Sequence, residues 1–379
     1  MISFVNWKTN MSSAIETKLS QLDVDKSDWM PVKFGDITFE PKETVKDALK
    51  EGIEHVVGLE HIQTGDIHLR NSNGIEQSTT FTKKFSPNDL LFGRRRAYLK
   101  KAAQAQFTGI CSGDIIVMRA KYDLMPELLP FIVNNDKFID WAIQHSAGGL
   151  SPRCKFKDLA NYEFLLPPKA QQAVIAKLLW SLDDVIEKNF QTLDTLKIYR
   201  KCFYKTLTKE TNKFGVHKIK DLMNFNYGKG LKESDRVKGK FAVVSSSGIK
   251  GYHHKALVQG PGIVVGRKGN VGQVTWVDND FWPIDTAYYI TLKKEYKHIS
   301  LKFFYYMLKS INLAKYSIAT AVPGLNRDDA LLTKAYMPND DEIEIYLRKF
   351  DKIYNQISEL NALIKALRIL QKSLVSKVF

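Results

Sequence analysis

Apolar side chains recur at alternating steps of four and three between Pro167 and about Lys209. They are Ile175, Leu179, Leu182, Ile186, Leu193, Leu196, Phe203 and Leu207, with Asn189 and Arg200 filling the two polar places of the ladder. This is a heptad seam, and about five heptads of it outrun an ordinary globular helix. At 1.5 Å per residue the segment is a rod of roughly 60 Å, too long to hide its stripe alone. The end of the chain supplies a second stripe. Tyr346, Phe350, Ile353, Ile357, Leu360, Ile364, Leu367, Leu374 and Val378 each stand 171 residues after a place in the first ladder. Leu360 answers Asn189, and Gln371 answers Arg200. Register shared over ten places marks an internal repeat rather than two unrelated surface helices.

The stretches between the ladders have another texture. From Trp29 to Leu166, short β-like runs (HVVGLEHI, DLLFG, DIIVMRA) alternate with turn residues such as Gly65-Asp66, Asn73-Gly74 and Gly113-Asp114. A helical patch is expected near Leu124–Gln144, then a loop at Gly148–Arg153 and a last strand at Tyr162–Leu166. After Thr211-Asn212 the texture resets: HKIKDLM (His217–Met223) resembles VKFGDI (Val32–Ile37), and strands return at FAVVSSS, GIVVGRKG, QVTWV and YYITL. A second helical patch falls at Leu301–Ile311. Gly93-Arg94 is matched with Gly266-Arg267, and Gly149-Leu150 with Gly324-Leu325.

The expected fold is therefore α+β. Two mixed α/β domains are separated by two long helices that pair as an antiparallel coiled coil, in a pseudo-two-fold repeat. The expected boundaries are an N-terminal extension at 1–28, a first domain at 29–166, a first spacer helix at 167–211, a second domain at 212–337 and a second spacer helix at 338–379.

Charge adds a partner to this picture. The 379 residues carry a net charge of +15, with a pI near 9.4, which favours a polyanion, nucleic acid before membrane surface. The three cysteines, Cys111, Cys154 and Cys202, form no CxxC pair. That argues against a disulfide framework or a zinc site and fits a reducing cytoplasm. No secretory signal is recognisable, and no run of about 18 apolar residues is present to span a membrane.

If the rods pair antiparallel, two inverted heads can each meet a groove of one DNA duplex, whose local dyads match theirs. A ~60 Å rod then bounds the separation to under about 18 base pairs. Asn189 would act as a register device in the seam. In the first head, Arg94, Arg95, Arg96, Tyr98, Lys100 and Lys101 gather cations and one aromatic on a loop after a strand. Guanidinium forks suit phosphates and guanine edges, although a solvated basic turn has the same composition. In the second head the matching loop holds Arg267, Lys268 and Asn270. Its glycines serve either close approach to phosphate or a hairpin turn. Ser246, Ser247, Tyr252, His253 and His254 lie on a second polar stretch, Ser245–Lys255, read as a loop. The loops at Ser151–Arg153 and Asn326-Arg327 are candidates for phosphate contact or simple bends.

Catalytic patterns are missing. There is no [DN]PP[YF] motif, glycine-rich adenosylmethionine loop, Walker motif or convincing nuclease centre, so no catalytic residue and no metal ligand is assigned. The chain reads as a reader of DNA rather than a catalyst.

Four segments carry a resemblance: LLPPKAQQAVIAKLLWSLDDVIEKN at the first rod, SSSGIKGYHHKALVQGPGIVVGRKGNVGQV, FWPIDTAYYI, and AVPGLNRDD before the second rod. With them the chain, from Trp29 to Phe379, resembles the specificity subunits of type I restriction–modification systems. Pro338-Asn339-Asp340-Asp341 departs from the double proline and glutamine run usual at the second helix. The resemblance implies two target-recognition domains, each reading half of a split, asymmetric DNA site. It also implies two methylating subunits docked on the helices and two ATP-driven restriction subunits. S-adenosylmethionine, ATP and Mg would sit on those partners, and no cofactor on this chain. The alternatives are the specificity part of a type II-like or phage-defence methylation complex, and a coiled-coil scaffold with protein-binding heads.

Overall fold

The structure is a computed structural model that describes residues 24–75, 80–209, 215–318 and 323–379. Most of the expected N-terminal extension, the reset at Thr211-Asn212 and the side chain of Leu207 lie outside the described residues. Internal contacts divide the chain into two units, Met1–Phe190 with Ala362–Phe379, and Gln191–Asn361. Both long helices, Lys169–Lys209 of 41 residues and Asp340–Val378 of 39, contribute one part to each unit.

In the first unit, strand Met30–Lys33 pairs antiparallel with Glu163–Leu166 and closes the head at the foot of the first long helix. A four-stranded antiparallel sheet runs in the order Thr38–Phe39, Ile115–Ala120, Leu90–Gly93, Ala102–Gln104. A second sheet runs Asn73–Gly74, His55–Val57, Gly109–Cys111, Lys83–Phe85, with His55–Val57 parallel to Gly109–Cys111. The expected helical patch is two short helices, Leu129–Val133 and Asp136–Gln144. They break at Asn134-Asn135 because the Asn135 side chain accepts the Lys137 N–H and starts a new helix. Phe34, Phe92, Phe138 and Leu128 form the core over the first sheet. Gln172, 1% exposed, ties the helix to the head: its amide nitrogen donates to the carbonyls of Asp123 and Pro167, and its oxygen accepts the Met125 N–H.

The second unit repeats the plan. Gly215–Lys218 pairs with Lys334–Met337, again three residues before a long helix begins. The antiparallel sheet runs Met223–Tyr227, Ala287–Leu292, Gly262–Gly266, Val274–Val277. The smaller sheet runs Gly248–His253, Phe241–Ser245, Phe281–Pro283, with the last two parallel. The likeness of HKIKDL to VKFGDI is structural: each is a strand followed by one helical turn. The stretch Ser245–Lys255, expected as a loop, is mostly a strand hydrogen-bonded to Phe241–Ser245, with only a tight turn at its start. The second long helix opens without prolines because Asn339 and Glu342 form a reciprocal cap. The Glu342 N–H donates to Asn339 Oδ1 at 2.9 Å, and the Asn339 N–H donates to Glu342 Oε2 at 3.4 Å.

Within each unit the two helical segments run antiparallel. In the first, Asp183 meets Gln371 while Phe190, further along, meets Arg368. In the second, Arg200 meets Tyr354 while Phe203, further along, meets Phe350. Every described apolar place of both ladders is buried or half-buried. Asn189 does not bridge the seam, since its amide donates to Val185 O one turn back in its own helix. The polar lock lies elsewhere. Asp183, 6% exposed, accepts from Gln371 Nε2 at 3.2 Å and from His68 Nε2 at 2.6 Å. Shifted by the repeat of 171 residues, the pair Asp183–Gln371 becomes Tyr354–Arg200, where the guanidinium lies 5.1 Å from the ring centroid. One place in the repeat thus carries a hydrogen bond in one unit and a cation–π contact in the other.

Candidate nucleic-acid interface

In the first unit the interface grows from the end of strand Leu90–Gly93. The Arg94 carbonyl accepts the Cys154 N–H at 3.1 Å, and Arg95 bridges in strand fashion to Arg153. This draws the loop 147–153 onto the arginine run. Ala147 and Arg153 exchange both backbone hydrogen bonds at its neck. Arg95 Nε and Nη2 each donate to Ser151 Oγ at 3.1 Å. Arg153 Nε donates to Asp114 Oδ1 at 2.8 Å, and Arg95 Nη1 lies 3.9 Å from the same carboxylate. The Arg153 bond holds the Asp114 carboxyl below its usual range, with the charges of Arg153, Arg95 and Arg94 adding to the effect. Arg96 is exposed in the left-handed region at φ 57°, and its guanidinium has no partner among the described residues. Tyr98 is half exposed beside it.

Two cations expected here are turned elsewhere. Lys100 donates to Asp136 at 2.7 Å, a carboxylate it shares with Lys372 of the second long helix. Lys101 donates to the Leu59 carbonyl. Asp136 at the start of the helix Asp136–Gln144 and the Leu59 carbonyl thus hold two cations that composition alone assigns to a ligand.

In the second unit the same frame carries different side chains. The Arg267 carbonyl accepts the Leu325 N–H at 2.8 Å, and Lys268 bridges to Gly324. These bonds make Arg153-Cys154, not Gly149-Leu150, the counterpart of Gly324-Leu325; the expected match fails by four residues. The match of Gly93-Arg94 with Gly266-Arg267 holds. Gly266 is needed there, since a Cβ would stand 2.0 Å from Asn270 O across the turn. Arg267 and Arg327 both lie over Tyr227, at 5.0 and 5.4 Å from its ring centroid. Arg267 Nη1 donates to Asp285 O, and Arg327 Nε donates to Phe225 O. Each guanidinium is thus held by a backbone carbonyl and lies over the Tyr227 ring, and both arginines are half-buried. Tyr227, Arg267, Lys268, Asn326 and Arg327 line an open hollow of about 400 Å³.

Lys268 and Asn270 are exposed on the adjoining turn, where Asn270 Nδ2 donates to Gln273 at 3.3 Å. Ser247, Tyr252 and His254 are exposed as well. Ser246 and His253 are not. Ser246 is 8% exposed against Thr286, and His253 is 5% exposed, its Nδ1 accepting the Val237 N–H at 3.1 Å. A strand alternates faces, so when Tyr252 points out, His253 must point in. Sequence reasoning singled out Arg327 only as a phosphate candidate and missed Tyr227 and Asp114. Their local sequence carries no sign that the fold brings them to a guanidinium.

Taken together, each unit presents pre-oriented guanidinium groups on a strand-to-turn frame, backed by an antiparallel helical strut. Guanidinium groups clustered on such a frame suit a polyanionic ligand. The chain belongs to the type I restriction modification DNA specificity domain family, whose model matches residues 26–197 and again 211–367. It is 30% identical over 118 residues to the type I restriction enzyme EcoDI specificity subunit of Escherichia coli. That match spans 30% of this chain and 26% of the relative's length. Its fold is similar to that of the type I restriction–modification S subunit from M. genitalium, with a TM-score of 0.64, 15% identity, and coverage of 95% of this chain and 98% of that one. A structure described for complex assembly and conformational transition of the type I system matches with a TM-score of 0.58 and 14% identity, over 92% and 97% of the two chains. No helix among the described residues is long and apolar enough to cross a membrane.

Proposed function

We propose that the chain is the DNA-reading subunit of a type I restriction–modification complex. Residues 29–166 and 212–337 each read one half of a split site. The helices at 167–211 and 338–379 set the gap and dock two methylating subunits, with two ATP-driven restriction subunits completing the assembly. Duplex DNA is the ligand of this chain. S-adenosylmethionine, ATP and Mg belong to the partners, and the chain itself carries out no chemistry.

The observation that carries this reading is the doubled frame. In both units a backbone N–H, of Cys154 or Leu325, seals onto an arginine carbonyl and fixes guanidiniums at the same place. Conserving the frame while changing Ser151, Asp114 and Arg153 into Tyr227 and Arg327 is what reading two different half-sites requires. Arg94, Arg95, Arg96, Tyr98, Arg267, Lys268, Asn270, Ser247, Tyr252 and His254 remain the proposed contact set, with Arg153, Tyr227 and Arg327 added.

The test is to map methylated adenines in a host that expresses this chain with its methylating partner. A bipartite motif with a fixed gap is expected, and exchanging residues 29–166 for another head changes one half only. Inserting one heptad in each long helix lengthens the gap. Methylation with no split motif, or a head exchange that alters both halves, overturns the proposal.

A further inference from the structure

We propose that Leu150 is a wedge that enters a base step of the half-site bound by the first unit. The inference rests on the DNA-reading proposal above and deepens it by naming how one loop engages the duplex. Among the described large apolar side chains Leu150 is the most exposed, at 99%. A single exposed leucine is ordinary on a protein surface. The setting of this one is not.

The loop that carries it is short, and its neck is fastened by the paired backbone bonds of Ala147 and Arg153, at 3.0 and 2.9 Å. Gly148, at φ 115°, takes a conformation that a side chain would resist, and it turns the chain outward. Past the tip, Ser151 is gripped by Arg95, and the Pro152 carbonyl accepts the Arg96 N–H at 2.9 Å. The tip is therefore held out on a braced base. Around that base stand Arg94, Arg95, Arg96 and Arg153 against one carboxylate, Asp114.

An apolar tip within a cationic collar has two natural uses. A protein partner would bury the leucine but would have to desolvate the guanidiniums, and interface cores are depleted of charge. Duplex DNA satisfies both features at once. Phosphates take the arginines, and the base stack takes the leucine, as apolar wedges do where a protein unstacks a step and opens the groove. Leaving the side chain in water forgoes the burial of a whole leucine, and the stacked interior of the duplex is the apolar place within reach of an arginine-bound backbone.

The experiment uses the full chain assembled with its methylating subunits and duplexes carrying 2-aminopurine at successive positions of each half-site. Salt-titrated binding is measured first. The adenines that are methylated are left unlabelled, because a methylating subunit turns its target base out of the stack. The expected result is a several-fold rise in fluorescence at one other step, confined to the half read by the first unit. Leu150→Ala removes the rise and weakens binding about tenfold, while Leu150→Met retains both. Leu150 is solvent-exposed, so neither variant disturbs packing.

Specific binding with no responsive step, or a response that survives Leu150→Ala, overturns the wedge and leaves the DNA-reading proposal standing. Loss of the methylating subunit in Leu150→Ala with the fluorescence response intact assigns the leucine to a protein contact and also overturns it. Absence of specific binding by the wild-type assembly overturns both proposals together.

Discussion

The two units share a frame and differ in how its polar places are filled. In the first, guanidiniums are held by a carboxylate and a serine hydroxyl, and the helical seam is locked by the buried Asp183. In the second, guanidiniums lie on tyrosine, and the seam is locked by Arg200 on Tyr354. The backbone pairings that carry these side chains are the same. The difference shows which part of the repeat is constrained: the strand-to-turn frame and the helix register persist, while the chemistry hung on them has diverged.

The sharpest way to test the equivalence is at the seam. Leu179 and Phe350 occupy the same place of the repeat, 1% and 0% exposed. Phe350 packs on Phe203, Tyr204 and Tyr306, with ring centroids within 4.9 Å. Phe350→Ala is expected to cost about 3–5 kcal/mol and Leu179→Ala about 2–5 kcal/mol, read as lowered unfolding midpoints in denaturant. A cost under about 1 kcal/mol at either residue would show that the place is not a core position in that unit.

The polar locks should differ more than the apolar ones. Asp183→Ala leaves His68 and Gln371, both half-buried, without their shared acceptor and should cost about 2 kcal/mol. Arg200→Ala, its counterpart across the repeat through Tyr354, removes a half-exposed cation–π contact and should cost about 0.5–1 kcal/mol. Equal losses in thermal melts would mean that the two contacts do the same job, against the divergence argued here.

These seams were legible because the rule behind them is local. A step of four and three fixes a face of a helix whatever surrounds it, and each described place turned inward. The heads were legible as strands and turns for the same reason. Lys100, Lys101 and His253 were not legible. Whether a lysine faces a ligand depends on where a distant carboxylate stands, as Asp136 does for Lys100. The parity of a strand decides His253, and the stretch holding it was expected as a loop. Gly149-Leu150 was matched to Gly324-Leu325 by letters alone, whereas the hydrogen bonds match the frame four residues later. The Asp183 lock escaped notice because it lies one place off the heptad, next to Leu182.

At the loops proposed to meet DNA the comparison predicts independence. Arg327→Ala removes one of the two guanidiniums over Tyr227 and should lower methylation at the cognate site about 10- to 100-fold, with discrimination relaxed only in the half read by the second unit. Arg95→Ala should act on the other half alone. If either substitution relaxes both halves, the units do not read separately.

The smallest expected effect is one of pH, and it belongs to the first unit only. The bond from His68 to Asp183 raises the imidazole pKa above its ordinary 6.5, against a smaller opposing effect of burial. A basic group whose folded pKa lies above its unfolded value stabilises the fold fully below the unfolded value, and that stabilisation is lost as pH rises through the folded one. The melting point of the wild type should therefore exceed that of His68→Gln by its widest margin near pH 6 and by a shrinking margin toward pH 8. The second unit provides the control, because its lock sets the Arg200 guanidinium on the Tyr354 ring and contains no imidazole. The margin between wild type and Arg200→Ala should stay flat over the same interval. A flat margin for His68→Gln would mean that the imidazole bonds Asp183 as a neutral donor.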